Sequence, residues 1–348
     1  MTDKEIFSTI EKAAITHELS KGEIVALLQC KRVEEDLAAA ADLTRKKFVG
    51  DGVHLRGLIE FTNYCKRSCA YCGLRAANKR LTRYRLKDEE ILNLAKKAKA
   101  YGYETVVLQG GEDDFFSCDR LFNIVSKIKA LDVAVTLSVG ERSFEDYKKL
   151  KEAGADRFLL RIETTNQALY ARHHQGMSLE ARKRCLENLK ELGYEVGTGS
   201  LIGLPGDSAE TLAEDLLFFK EIDADMLGMG PFLPNPDTPL GAEKAGSFSV
   251  TRRLLSITRL LLPTANIPAT TAVETLREGG RDIMLNSGAN VVMSNVTEGA
   301  AREFYALYPG KSGVHDKPED MRGMWEEKLK SMGRFVAKGK GFRNLTPY

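Results

Sequence analysis

No apolar run reaches the roughly 18 residues needed to cross a bilayer, so no segment reads as a membrane-spanning helix. Cysteine is sparse, with 6 in 348 residues, and does not read as a disulfide framework. Neither sign of charge prevails: 51 Lys and Arg face 49 Asp and Glu, and a net charge of +2 gives no reason to expect a nucleic-acid or anionic-membrane surface. The first residues, Met-Thr-Asp-Lys-Glu-Ile-Phe-Ser, lack the basic and apolar regions of a signal peptide, so the expected compartment is the reducing cytosol. No linker rich in Pro, Gly or Ser divides the chain. A hydrophobic content of 43% and a charged content of 29% describe an ordinary globular protein, long enough for two average domains or one large α/β barrel.

Three of the six cysteines are gathered in one place. Cys65, Cys69 and Cys72 are spaced C-x3-C-x2-C directly after the apolar segment 54–62. Thiolates grouped in this way hold zinc or iron–sulfur centres, which normally take four protein ligands. Cys30, Cys118 and Cys185 are isolated, and the sequence gives them no role. His173 and His174 lie more than 100 residues from the cluster and read as an exposed helix end. A closed zinc site therefore lacks its fourth ligand. Three thiolates on a four-iron cluster would instead leave one iron open to an outside ligand.

Periodicity divides the chain. Residues 1–50 read as a helical extension, a lid or plug on the main domain, with a capping box at Ser20 and Glu23 and a second helix stopped at Gly50. From residue 51 to 310, short strands open near His54, Thr105, Val133, Arg157, Glu195, Met226, Ile267 and Ala289, with helical patterns between them. Several helices start at capping residues (Asp88, Asp119, Ser143, Ser178) and end near Gly102, Gly154 and Gly193. Alternation of this kind predicts an α/β fold, a (β/α)8 TIM-type barrel, with an open doubly wound sheet as the alternative. Residues 311–348 add a short C-terminal helix near Met321–Met332 and a solvated Lys/Arg/Gly tail, packed on the same domain.

In such a barrel the chemistry belongs at the C-terminal ends of the strands, where the cysteines fall. Period-two parity then predicts which side chains point inward. Strand four places Arg157, Leu159, Arg161 and Glu163 on one face, and strand one places His54, Arg56, Leu58 and Glu60 there. Strand three offers Thr136 and Ser138, and strand seven offers Thr270 and Thr271. Buried charges need partners, so these residues either pair with one another or meet a polar, anionic ligand.

The cysteine spacing, with aromatic Tyr71 before the last thiol, resembles the radical S-adenosylmethionine (SAM) superfamily. Gln109-Gly110-Gly111-Glu112 resembles that family's SAM-amino motif, although alone it reads as a strand-to-helix turn. Gly199-Ser200-Leu201-Ile202-Gly203 resembles its adenine segment, with Gly206 where a glutamate is usual. Arg182 resembles the carboxylate-binding arginine, though a bare arginine on a helix is more often a solvated charge. Within the superfamily, segments such as Tyr71-Cys72-Gly73-Leu74-Arg75, Gly228-Met229-Gly230-Pro231-Phe232 and Ile267-Pro268-Ala269-Thr270-Thr271 resemble the HydE family of FeFe-hydrogenase maturases, over about residues 45–310.

That resemblance implies one 4Fe–4S cluster on Cys65, Cys69 and Cys72, since no cysteine follows Cys185 to hold a second. It implies SAM bound by Tyr71, Gly110, Gly111, Glu112, Glu163, Arg182, Gly203, Met229 and Tyr305. The substrate, an anionic small molecule or an organometallic iron–cysteine complex bearing CO and cyanide, would meet Arg56, Thr136, Ser138, Arg157, Arg161, Thr270, Thr271, Met293 and Tyr308, with Arg161 also counted as catalytic. Partner maturases and an electron donor such as a ferredoxin or flavodoxin are implied, with no nucleic acid and no membrane. Methylornithine synthase, a lysine mutase of the same architecture, is the alternative. A non-catalytic iron–sulfur carrier is an alternative of another class, but it leaves the glycine motifs and inward charges unexplained. Sulfur insertion of the biotin-synthase type is disfavoured, because strands three to five carry no cysteine.

Overall fold

The computed structural model describes residues 2–346. Its strands are β1 (Gly52–Thr62), β2 (Thr105–Gly110), β3 (Ala134–Ser138), β4 (Arg157–Leu159), β5 (Glu195–Thr198), β6 (Leu201–Ile202), β7 (Met226–Leu227), β8 (Gly230–Pro231), β9 (Val291–Asn295) and β10 (Phe335–Val336). The helices are α1 (Asp3–Thr16), α2 (Lys21–Gln29), α3 (Glu34–Val49), α4 (Asp88–Ala100), α5 (Cys118–Lys129), α6 (Phe144–Glu152), α7 (Gln167–His173), α8 (Leu179–Glu191), α9 (Ala209–Glu221), α10 (Phe248–Leu261), α11 (Thr271–Leu276), α12 (Gly280–Leu285), α13 (Ala300–Phe304) and α14 (Met321–Ser331).

The architecture is a (β/α)8 TIM-type barrel. β1, β2, β3, β4, β5 and β7 pair in that order, all parallel, and β9 lies along the other side of β1. Between β7 and β9 the wall is completed by single bridges, Met226 with Asn266 and Pro268 with Val291. The strand expected near Ile267 is reduced to these two contacts, since Pro268 has no N–H to give a ladder. Apolar side chains that alternate with the inward set, among them Ile59, Phe61, Val106, Leu108, Val135, Leu137 and Phe158, are buried against the helices. Serine side chains cap α5, α6, α8, α9 and α10. For α5 the cap is Ser117, not the expected Asp119, and for α4 the N-cap position is Lys87, one residue before the expected Asp88. Among the described residues no helix is long and apolar enough to cross a membrane.

The N-terminal helices do not lie over the mouth. They pack on the outer side of the barrel against α9 and α10. Buried Arg253 of α10 ties them down, donating to the Leu28 carbonyl at 2.9 Å and to Glu34 at 2.6 Å.

The C-terminal tail departs most from expectation. Many of its side chains are exposed as expected, but its backbone closes the barrel floor. β10 pairs with β1 at Gly52 and Val53, and residues 338–343 then pass beneath the strands. The Lys340 carbonyl accepts from Thr105 (2.8 Å) and Arg157 (2.7 Å), and the Gly341 carbonyl accepts from Asn266 (3.1 Å) and Arg56 (3.4 Å). Phe342 lies under the Arg157 guanidinium at 4.3 Å. Gly341 has φ +62, and a Cβ there would meet the His54 ring at 2.7 Å, so only glycine fits the floor at this point.

Candidate functional site

The cysteine loop leaves β1 at Thr62 and returns at Arg85, which bridges Thr62. Asn63 closes the loop's neck, donating to the carbonyls of Thr82 and Phe304 (both 2.8 Å) and accepting from the Tyr84 N–H (2.8 Å). Arg83 gathers the loop from within, donating to the carbonyls of Asn63, Leu74, Arg75 and Asn78. Other loops pin it from outside: the Lys66 N–H donates to the Glu112 carbonyl (2.8 Å), Ala70 to His173 (2.8 Å) and Gly73 to Leu307 (2.9 Å). The glycines of the second motif serve this packing as well. A Cβ on Gly111 would meet the Tyr64 carbonyl at 2.2 Å and the Cys65 Cβ at 2.7 Å.

The loop sits over a cavity of about 340 Å3 inside the mouth of the barrel. Cys69, Tyr71 and Cys72 line its top. Below them the wall includes Leu58, Glu60, Gln109, Leu159, Arg161, Glu163, Gly228, Gly230, Thr270, Thr271, Met293, Tyr308 and Lys311. Burial pushes the Cys69 thiol up to about 12, with Cys65 beside it adding to the shift, and raises Cys65 and Cys72 as well. Such thiols give up their protons when a cationic centre takes them as thiolates. Among the described residues no group of three His, Cys, Asp or Glu converges closely enough for a single metal ion. A multi-iron cluster differs from zinc in anchoring each thiolate on a separate iron. The donor set, three free thiols on one braced loop with two of them open to the cavity, fits a cluster with one open iron.

Charges ring the mouth in connected pairs. Arg67 bonds Glu112 and Glu141, and Arg182 bonds Glu141 (2.7 Å) and the Arg161 carbonyl (2.7 Å). Arg161 donates to the Ser200 carbonyl (2.6 Å) and lies 3.0 Å from the Glu163 carboxylate. Burial raises the Glu163 pKa against the opposing pull of Arg161 and Arg182. Glu163 also has φ +66, a left-handed conformation that L residues disfavour, held by bonds to Gly199 and Leu201. The Glu163 oxygen that faces Arg161 and the Thr270 hydroxyl are buried without a hydrogen-bond partner. Unmet polar atoms at a cavity wall are groups that a polar ligand satisfies.

Tyr71 is fixed by a short relay. The Nδ1 of His174 lies 3.1 Å from the Tyr170 carbonyl, which can only accept, so Nδ1 carries the proton. Nε2 then accepts from the Tyr71 hydroxyl at 2.8 Å. The His174 ring stacks on Tyr170 at 4.1 Å, and burial lowers its pKa to about 3, which keeps it neutral. His173 and His174 are thus not an exposed helix end: each is 1% exposed, and together they brace the cysteine loop.

The inward-facing residues separate by depth. Arg161, Glu163, Thr270, Thr271, Met293, Tyr308 and Tyr71 are on the cavity wall as expected. Arg56, Arg157 and Thr136 are not. They point inward but lie at the floor, where Arg157 pairs with Glu195 and the tail, and Arg56 meets the Met226 sulfur (2.8 Å) and the tail. Ser138 ends β3 off the wall. Met229 faces outward to Thr258 of α10, because its neighbours Gly228 and Gly230 take the inward positions. Gly110 ends β2 and Gly111 and Gly203 lie in the loops beyond the strands, all three off the wall, and Glu112 is turned to Arg67. Arg182 stands behind Arg161, and Tyr305 behind Gln109, whose amide reaches its hydroxyl at 3.3 Å. Thr270 and Thr271 open α11 and do not belong to a strand.

Three participants escaped the sequence reading. Lys311 reaches back from a loop to pair with buried Glu60 at the wall, and nothing local to Pro309-Gly310-Lys311 signals that. Glu141 joins Arg67 to Arg182 from the loop after β3. His174 was visible as a residue, but its burial was not.

Comparison with known proteins agrees with this geometry. Residues 59–219 match the model of the radical SAM superfamily. The chain is 50% identical to the FeFe hydrogenase maturase subunit HydE of Thermotoga maritima, over 91% of this chain and 90% of that one. It is 32% identical to a 3-methylornithine synthase of Methanosarcina acetivorans, over 93% and 92%. The crystal structure of methylornithine synthase (PylB) superposes with a TM-score of 0.82 at 28% identity, covering 95% of this chain and 97% of that one. With its cysteine loop at the barrel mouth and half its residues shared with HydE over nine-tenths of both chains, the chain is a radical SAM enzyme and belongs to the HydE family.

Proposed function

We propose that this enzyme is a HydE-type maturase, acting with partner maturases on an anionic iron–cysteine precursor bearing CO and cyanide during assembly of the FeFe-hydrogenase cofactor. The observation that carries the reading is the cavity beneath Cys69 and Cys72, whose wall combines Arg161 and Lys311, the carboxylates of Glu60 and Glu163, hydroxyls and a thioether with apolar side chains. Cys65, Cys69 and Cys72 would hold a single 4Fe–4S cluster, and Tyr71, Glu163 and the neighbouring glycines would hold SAM. When bound, these groups supply reductive cleavage of SAM to methionine and a 5′-deoxyadenosyl radical. The rest is done by the chain itself. Arg161, Thr270 and Thr271 orient an anionic substrate, Met293 and Tyr308 pack on it, and the strap around Leu307–Lys311 keeps water out. The organisation into a helical extension (1–50), a catalytic barrel (51–310) and a C-terminal closure (311–348) belongs to the same proposal, as does a cytosolic location.

The 3-methylornithine synthase relatives favour a second reading, a lysine mutase in a one-cluster polar barrel. Anaerobic reconstitution followed by turnover with dithionite, SAM and each candidate substrate separates the two. Consumption of the iron–cysteine complex is expected, and conversion of lysine to methylornithine would overturn the maturase reading. A carrier would bind a cluster yet form no 5′-deoxyadenosine.

A further inference from the structure

We infer that the outer face of the cysteine loop is a docking surface for a small acidic protein that delivers one electron from a reduced flavin or iron–sulfur centre. The inference rests on the radical SAM reading, which requires an electron from outside the chain.

Charge is the first ground. Residues 66–87 carry eight Lys and Arg and no Asp or Glu, within a chain whose net charge is only +2. Taking those eight from 51 leaves 43 cations against 49 carboxylates, so the remainder of the protein is acidic. Some of this charge is offset by acids from neighbouring loops: Arg67 by Glu112 and Glu141, Arg85 by Asp113, Lys66 by Asp114 and Arg80 by Asp237. Arg75 and Arg83 are held instead by backbone carbonyls, which leave their charge in place. Eight cations against five carboxylates, one of them shared with Arg182, leave this face basic, which suits an acidic partner.

Shape is the second ground. Cys69 and Cys72 face the interior cavity, but Cys65 does not. It lines a separate open cavity of about 280 Å3 on the outside, with Lys79 and Arg83. This cavity shares Asn78 and Lys79 with a groove of about 370 Å3 that runs to Asp237. Cys65 is therefore the thiol nearest the outer surface, and an electron entering beside it reaches the cluster without crossing the substrate cavity. An aromatic side chain lies across the Arg85 guanidinium from Tyr64, which lines the outer cavity. Phe115 is 48% exposed, with the Arg85 and Arg120 guanidinia stacked at 4.6 and 4.1 Å, the arrangement of an aromatic and arginine hot spot. The step is one electron lost by the donor and gained by the cluster, with no proton or leaving group crossing the face.

The test compares 5′-deoxyadenosine formation driven by dithionite with formation driven by a reduced, acidic flavodoxin. Replacing three exposed cations together (Lys79→Glu, Arg80→Glu, Lys87→Glu) should leave the dithionite rate within about twofold of the parent. With flavodoxin the half-saturating concentration should rise about tenfold or more and its dependence on salt should flatten, as expected when about 1.4 kcal/mol of charge attraction is lost. A control with equal charge change elsewhere (Lys4→Glu, Lys47→Glu, Lys148→Glu) should respond like the parent. An unchanged flavodoxin response in the first variant, or an equal loss in the control, would overturn the docking surface. Absence of 5′-deoxyadenosine from the parent with dithionite would overturn the radical reading beneath it.

Discussion

Arg157 opens β4 and Arg161 lies two residues beyond its end, yet they answer to opposite ends of the barrel. At the floor, Arg157 is fully buried and each of its guanidinium nitrogens has a partner, in Glu195, the Thr105 hydroxyl and the Lys340 carbonyl, with the Phe342 ring beneath it. At the mouth, Arg161 remains partly open to a cavity, donates to the Ser200 carbonyl and faces a Glu163 oxygen that makes no hydrogen bond. An inward arginine is therefore not in itself a ligand contact. Where the chain supplies a full set of acceptors the charge is structural, and where it stops short the charge is available.

The floor should fail by unfolding and the mouth by losing turnover. Arg157→Met leaves the buried end of the Glu195 carboxylate without its cation and removes one of two donors to the Lys340 carbonyl, and chemical denaturation should show a loss of about 3–5 kcal/mol, the usual cost of breaking a buried pair. Arg161→Gln should lower consumption of the native substrate about 100-fold, or about 2.7 kcal/mol, while uncoupled SAM cleavage and the denaturation midpoint stay near the parent values. Equal loss of both activities would place Arg161 at SAM and erase its contrast with the floor.

Acid offers a reversible version of the same comparison. Burial, with Arg56 and Arg157 next, lowers the His54 pKa to about 4, below its ordinary 6.5. Between those values the unfolded chain binds more protons than the folded one, so this contribution is full above pH 6.5 and lost as pH falls toward 4. At pH 5 the loss amounts to about 2 kcal/mol. The His54→Gln variant should show a flatter stability profile over that window; a parallel profile would remove His54 from the account of the floor. The smallest effect belongs to the Tyr71 relay. His174→Phe preserves the stack on Tyr170 but removes the acceptor, and the KM for SAM should rise about fivefold, or about 1 kcal/mol. No change in KM would mean that the hydroxyl contact does not position Tyr71.

Parity and punctuation carried much of this into the sequence. Strand alternation identified the inward set, serines and glycines marked the helix ends, and three clustered cysteines located the mouth. Depth was not legible, because a period of two gives the side a residue faces but not its height along the barrel axis. Arg56, Leu58 and Glu60 share a face, yet only Leu58 and Glu60 reach the cavity. Nor was the partner of each charge legible when it came from a distant loop. Lys311 meets Glu60 across 251 residues, and Lys340 meets Arg157 across 183. The tail misled for the same reason. Lys, Arg and Gly read as solvated until their carbonyls are found under the barrel, where the residue identities matter less than the backbone they expose.

The left-handed backbone at Glu163 sets two kinds of selection against each other. A library randomised at this position and screened for thermal stability alone would drift toward glycine or asparagine, which accept φ +66 where other L residues lose about 1–2 kcal/mol. A screen for radical chemistry would hold the carboxylate in place. Stabilising this enzyme by consensus or by heat selection thus risks discarding the residue that faces Arg161, and position 163 is the one to hold fixed first.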